Sequence, residues 1–232
     1  MAVTTRSSLL MFAVAALALA GCSGGADDSI VTVAYIEDAD SIEATGLRLT
    51  PAGQHLRAAT REGLVALDAN GEVVPAIAER WIVTDDGQSY IFRLRGSNWP
   101  DGEPITSQSV RDQLRRTIAR LDGTTLGLDL AQVAEVRAMA GRVVEVRLTG
   151  PMPGFLQLLA QPELGLEQEA AGTGPMRAET RDDTVVLTAL PPPERGLPEM
   201  EGWAEAVKTV RLPSPPPYSP HATVRPPPPH RR

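Results

Sequence analysis

One thiol is available for chemistry in this chain, because Cys22 is its only cysteine. Arg6, an apolar run from Leu9 to Ala20, and then Gly21 precede it. Small residues ahead of a thiol let an extended chain enter a peptidase groove, and the sulfur is then a nucleophile that can be alkylated. A lone cysteine makes neither a disulfide framework nor a cysteine-rich zinc site. Other reactive types are sparse. There are three histidines, His55, His221 and His230, and two of them stand in a proline-rich C-terminal stretch. Asp85 and Asp86 are neighbours on a turn. Adjacent turn carboxylates point apart into solvent, whereas a glycosidase pair must flank one bond. With His55 as the only histidine ahead of residue 213, no Ser/His/Asp set stands in a workable context. Gly172-Thr173-Gly174 would let backbone approach a ligand closely, but a single Gly-x-Gly is a weak phosphate signature. The residues therefore point to no catalytic group, no metal site and no cofactor, and they leave the ligand-binding residues unknown.

The segment around Cys22 has a clear physical reading. Its apolar run is shorter than the roughly 20 residues needed to span a bilayer and fits the apolar region of a secretory signal. Leu19-Ala20-Gly21-Cys22 resembles the lipobox of bacterial lipoproteins. That resemblance implies a signal peptide over residues 1–21 and lipid attachment at Cys22, with the membrane as a partner through the lipid. The alternative is an ordinary signal peptide with an accidental cysteine. Stable anchoring needs more than one acyl chain, at about 0.8 kcal/mol per buried CH₂. Residues 22–29, rich in Ser, Gly and Asp, read as a flexible tether.

Composition bounds what such an anchor could carry. The chain has 232 residues, a formal net charge of −7 and 42% hydrophobic residues, enough for a globular core. Its acidic balance argues against a nucleic-acid partner held through phosphates. Strand patterns are expected at Ile30–Ile36, Ser89–Arg95, Arg142–Leu148, Thr184–Leu190 and Val207–Leu212. In Ser89–Arg95 the residues Tyr90, Phe92 and Leu94 alternate with Ile91, Arg93 and Arg95, which predicts a half-buried strand. Thr106 reads as an N-cap. Val110, Leu114, Ile118 and Leu121 then form one helical face, closed by Asp122-Gly123. Further helices are expected around Gln54–Glu62, within Leu128–Met139, and at Phe155–Leu159. Asp68-Ala69-Asn70-Gly71, Asp85-Asp86-Gly87 and Trp99-Pro100-Asp101-Gly102 read as turns. Strands and helices mix without regular βαβ alternation, giving a mixed α/β (α+β) class. Residues 213–232 include nine prolines and show no apolar period, so they read as a disordered, Pro-rich tail.

The stretch from Arg61 to Arg120 resembles the extracytoplasmic solute-binding proteins of family 5, the peptide- and nickel-binding receptors of ABC importers. The residues that carry the resemblance begin with Glu62-Gly63-Leu64-Val65, Asp68-Ala69-Asn70-Gly71 and Pro75-Ala76-Ile77-Ala78-Glu79-Arg80-Trp81. They continue through Asp85-Asp86-Gly87, Tyr90 to Arg95, Trp99 to Thr106, and Arg115-Arg116. Downstream, Gly172-Thr173-Gly174-Pro175-Met176 is similar to a Gly-Thr-Gly-Pro-aromatic element. There are departures: Arg61 where an aromatic residue usually stands, Ser109 where an aspartate often follows the Thr cap, and Met176 for the aromatic.

The resemblance implies part of a periplasmic-binding-protein type II-like fold over residues 30–212, namely the first lobe with its inserted subdomain. Family members run to roughly twice this length, so the second lobe is expected to be missing. The implied function is capture of a small-molecule or oligopeptide ligand outside the inner membrane for the permease subunits of an ABC transporter, without catalysis. A chain with one lobe is expected to bind weakly. An arginine-dominated basic complement, with Lys208 as the single lysine, together with the Pro/Arg-rich tail, suggests a frameshift or truncation near residue 212. The other functional reading is an envelope interaction lipoprotein whose Pro-rich tail contacts a partner. Tyr90, Phe92, Trp81 and Trp99 are expected in the core rather than on a ligand platform.

Overall fold

A computed structural model describes residues 30–35, 47–169, 171–181, 184–190 and 208–213. Its elements, in chain order, are β1 (Ile30–Thr32), α1 (Pro51–Thr60), β2 (Val65–Leu67), β3 (Val73–Pro75), β4 (Ala78–Val83), β5 (Ser89–Leu94), α2 (Ser107–Arg120) and α3 (Thr125–Leu130). They continue with β6 (Val133–Met139), β7 (Val143–Leu148), α4 (Phe155–Leu159), a 3-10 turn (Pro162–Leu164), β8 (Glu167–Gln168), β9 (Ala171–Gly172), β10 (Met176–Arg181), β11 (Thr184–Ala189) and β12 (Thr209–Pro213). Cys22, the tether and residues 214–232 lie outside the described residues.

Alternation and capping place the first layer. In β5, Tyr90, Phe92 and Leu94 are buried, and the β7 residues opposite them and beyond, Val144, Val146 and Leu148, are buried as well. These strands form the antiparallel sheet β4-β5-β7-β6. α2 starts at Thr106, whose hydroxyl accepts from the Ser109 backbone N–H at 3.0 Å while Ser109 Oγ accepts from the Thr106 N–H at 3.1 Å. Ser109 therefore closes a capping box, a role a short polar acceptor can fill in place of an acidic one. Val110, Leu114 and Leu121 pack against Phe92, Leu94 and Val144 in the larger core. Ser107, fully buried, donates to the carbonyls of Met139 or Gly141 at 3.2 Å, fixing the helix start to the β6–β7 turn.

A second, smaller core lies under the sheet β1-β12-β11-β10, in which β1 runs parallel to β12 and the other pairs are antiparallel. Ala52 on α1 meets Met176, Val185, Leu187 and Leu212 there, with Leu56 and Ala59 at the margin. At the end of β1, the Tyr35 ring stands edge-on to His55 of α1, centroids 5.8 Å apart, and its hydroxyl pairs with His55 Nδ1.

Three expectations need correction. The helix placed around Gln54–Glu62 spans Pro51–Thr60, because Thr50 is the N-cap and Pro51, which lacks the N–H a first turn leaves unpaired, begins it. The stretch Leu128–Met139 is not a helix: α3 ends at Leu130, Leu128 is 72% exposed, and Val133–Met139 is a strand paired with β7 through a tight turn at Gly141. The apolar spacing there fits either period over so short a run, and the neighbouring strand decides. The short β8–β9 hairpin and β10 were not expected, since Met176–Arg181 is exposed beyond its first residue and shows no apolar alternation.

The expected turns form. In the Asp85-Asp86-Gly87 turn, Asp86 Oδ1 accepts from the Thr84 hydroxyl at 2.6 Å and from the Gln88 N–H at 3.0 Å. Those bonds, the hydroxyl first, hold its carboxyl below the usual carboxylate value. A depressed folded-state pKa stabilises above the unfolded-state value and is lost as pH falls through the folded-state value. Asp86→Asn, which keeps an acceptor but drops the charge, is expected to lower the melting temperature at pH 7. The difference from the parent should close as pH falls through the acid range, read by thermal melts from pH 7 to 2.

Candidate functional site

Two passages of chain between the two cores lie side by side, and several glycines of the sequence converge there. Outbound, α1 ends at Thr60 and the chain runs through Arg61-Glu62-Gly63 into β2. Inbound, it returns through β8 and β9 and Gly172-Thr173-Gly174 into β10. The two passages lie against each other. Gly174 N–H donates to Thr60 O at 3.0 Å and Leu166 N–H donates to Glu62 O at 2.9 Å. A Cβ on Gly172 would sit 2.5 Å from Thr60 O, and one on Gly174 would overlap the Thr60 carbonyl carbon. Glycine is required at both positions by this close approach of backbone to backbone.

Charge is buried at the same place. Glu62 and Arg95 form a two-pronged pair, Nη1–Oε1 3.1 Å and Nη2–Oε2 2.5 Å, with side chains 10% and 11% exposed. Arg95 Nη1 also donates to Ala76 O at 2.8 Å. The pair thus gathers the start of β2, the Pro75-Ala76-Ile77 bend and the end of β5. Backbone bonds finish the knot: Ile77 N–H to Gly63 O at 3.2 Å, Ala78 N–H to Leu64 O at 2.9 Å and Arg95 N–H to Ile77 O at 2.9 Å.

On the inbound side, Arg57 and Arg61, one helical turn apart, both reach Glu167 of β8. Arg61 Nη2 pairs directly with Oε2, and Arg57 Nη2 lies 3.9 Å from Oε1. Arg57 is buried and its Nε donates to Pro162 O at 2.9 Å. Burial first, then Arg61, pull its guanidinium below the usual arginine value, and Glu167 opposes them. Gln113 of α2 accepts from the Glu167 backbone N–H at 2.8 Å, so the larger core holds the carboxylate in place.

Alternation placed Arg95 on the solvent side of its strand, and the structure buries it. A strand pattern assigns faces within the strand and does not see that Glu62, 33 residues earlier, waits beyond its end. Arg57 and Glu167 were missed as well. The available signal was Arg57 and Arg61 four apart on a helix whose other side is Ala52, Leu56 and Ala59. The expected core aromatics are in the core: Phe92 and Trp99 are buried, Trp81 packs on the core's edge, and the buried Tyr90 ring lies 4.8 Å from Phe155 while its hydroxyl donates to Met152 O at 3.2 Å. Burial raises the Tyr90 phenol above its ordinary value. Asp85 and Asp86 share a turn remote from the crossing, and His55 serves Tyr35. Among the described residues no group of three or more His, Cys, Asp or Glu is arranged to hold a metal ion. The arrangement at the crossing sets geometry between two cores and presents no nucleophile paired with a base.

Glu62→Gln is expected to destabilise the chain by about 3–5 kcal/mol, because it strands a buried guanidinium. Glu79→Gln removes the partner of Arg93 in a pair whose side chains are both 41% exposed, and should cost at most about 1 kcal/mol. Urea unfolding of the two variants compares them directly.

Comparison with known proteins places this architecture. The sequence pattern for bacterial extracellular solute-binding proteins, family 5 (middle part), matches residues 72–191. The chain is similar to the probable deoxycholate-binding periplasmic protein YgiS of Escherichia coli (strain K12), 36% identical over 121 residues, covering 44% of this chain and 23% of that protein. It is also similar to the glutathione-binding protein GsiB of the same strain, 25% identical over 194 residues, covering 77% of this chain and 37% of that protein. Among solved structures, the Listeria monocytogenes OppA bound to peptide superposes with a TM-score of 0.62 at 19% identity, over 80% of this chain and 42% of that one. The chain thus matches about a quarter to two-fifths of the length of these proteins.

Proposed function

The chain belongs to the bacterial extracellular solute-binding proteins of family 5, and from that membership we propose that it serves an ABC importer by capturing peptides or similar small solutes outside the inner membrane. The match over residues 72–191 carries this reading, because it covers most of the larger core and runs through the inbound crossing. The names of relatives point to small solutes: deoxycholate for one, glutathione for another, a peptide in a solved complex. Capture of that kind needs a wall of fixed shape and satisfied backbone groups, and no reacting group.

The domain plan that goes with this reading is a lipoprotein signal peptide over 1–21, lipid attachment at Cys22, a tether to residue 29, the binding-protein portion over 30–212 and a Pro-rich tail. A lipid at Cys22 would hold the binding body at the membrane beside the permease subunits it serves. Expressed in a bacterial host fed labelled palmitate, the chain should take up label and fractionate with membranes. Cys22→Ser should take up none. Labelling that survives Cys22→Ser would overturn the assignment.

A clamshell receptor encloses its ligand between two lobes, and the described residues resemble the first lobe and its inserted subdomain. Binding by this chain is therefore expected to be no tighter than about 1 mM, about −4 kcal/mol, with the peptide recovered intact. Titration calorimetry with peptides of two to five residues, followed by mass spectrometry of the peptide, measures both. A submicromolar complex would show that the chain encloses ligand unaided; a cleaved peptide would overturn the binding reading.

A further inference from the structure

We propose that Arg61 and Glu167 form an ionic lock that couples the two cores into one cooperative unit, with Arg61 acting as a positioning residue for the sheet β1-β12-β11-β10.

Among the described residues the two cores share no buried side chain. The larger draws its residues from between Leu47 and Leu166, the smaller from α1 and the strands after Gly174. Two bodies with separate cores and short linkers are ordinarily free to open one at a time. What joins them is specific. Helix α1 gives Ala52 to the smaller core, and its C-terminal end reaches toward the larger body through Arg57 and Arg61. Glu167, their shared partner, is anchored by Gln113, a half-buried residue on α2 of the larger body. The Arg61 side chain leaves the crossing between two glycines: a Cβ on Gly165 would lie 2.9 Å from Arg61 Cβ, and one on Gly172 would lie 2.6 Å from Arg61 Cγ. That slot fits an unbranched stem and directs the guanidinium onto the carboxylate. The side chains of Arg61 and Glu167 are 20% and 29% exposed, so the pair is only partly screened by water. Arg57 sharpens the dependence. It is buried beside Arg61, and Glu167 is the nearest ion-pair partner of both, so loss of that carboxylate leaves two neighbouring cations facing each other.

The proposal concerns how the two bodies move and stands whether or not the solute-binding reading holds. Hydrogen exchange of the full chain tests it, comparing amides of the smaller-core sheet (Val185, Leu187) with amides of the larger sheet (Phe92, Val144). In the parent chain both groups should exchange through the same opening. In Arg61→Met, which keeps an unbranched stem in the slot, Val185 and Leu187 should exchange about tenfold faster or more, with Phe92 and Val144 unchanged. Glu167→Gln, with almost no change in volume, should do the same. The double variant should be no worse than Glu167→Gln alone, as coupled partners require, and Arg61→Lys should restore most of the protection. Four outcomes overturn the lock: separate opening of the two groups in the parent, equal acceleration of both, no acceleration in Glu167→Gln, or additive effects in the double variant.

Discussion

Two lengths of backbone lying in contact set the form of this molecule. Where Thr60-Arg61 meets Gly172-Thr173-Gly174, the chain that leaves the smaller core touches the chain that returns to it, closer than any side chain permits. Main-chain donors and acceptors brought that near must pair with each other, and they do, at Gly174 to Thr60 and Leu166 to Glu62. The charges follow from the same constraint. A crossing between two apolar cores excludes much of the water, and a buried guanidinium there needs a carboxylate and a carbonyl with good geometry. Arg95 has both, in Glu62 and Ala76. Arg57 has a carbonyl at full hydrogen-bond distance and a carboxylate only at 3.9 Å, shared with Arg61.

Local chemistry was legible in the sequence wherever one element supplied both sides of the interaction. The Thr106 cap, the Val110–Leu121 face, the alternation in β5 and β7, and the Asp-Gly and Asn-Gly turns each depend on residues within a few positions, and each is found. The elements that escaped take their form from a neighbouring strand and carry no clear period of their own. Val133–Met139 takes its strand form from β7, and Met176–Arg181 from β11. The ionic crossing was least legible of all: Arg95 answers Glu62 across 33 positions, and Arg57 answers Pro162 across 105. A residue's burial by a distant segment leaves no periodic trace. The family resemblance carried information that the patterns lacked, because Glu62-Gly63-Leu64 and Gly172-Thr173-Gly174-Pro175 mark the two passages that meet.

The departures from that resemblance also acquire reasons. Ser109 is not a loss at the α2 start, since its hydroxyl completes the capping box. Arg61 brings a charge to a position where an aromatic ring is usual, and a charge near the crossing requires its counter-charge nearby. Glu167 supplies it, and the Gly165 and Gly172 positions leave room for the stem.

A wall that takes part in capturing a solute must hold its shape while the ligand comes and goes, because every degree of freedom left in the wall is an ordering cost at binding. Two small cores joined by a bare linker would carry that cost. Two cores joined by paired backbone, a two-pronged Glu62–Arg95 bridge and a shared carboxylate carry less of it, having met it during folding. The charged groups at the crossing pair with each other, Glu62 with Arg95 and Glu167 with Arg61, so their charge serves to hold geometry.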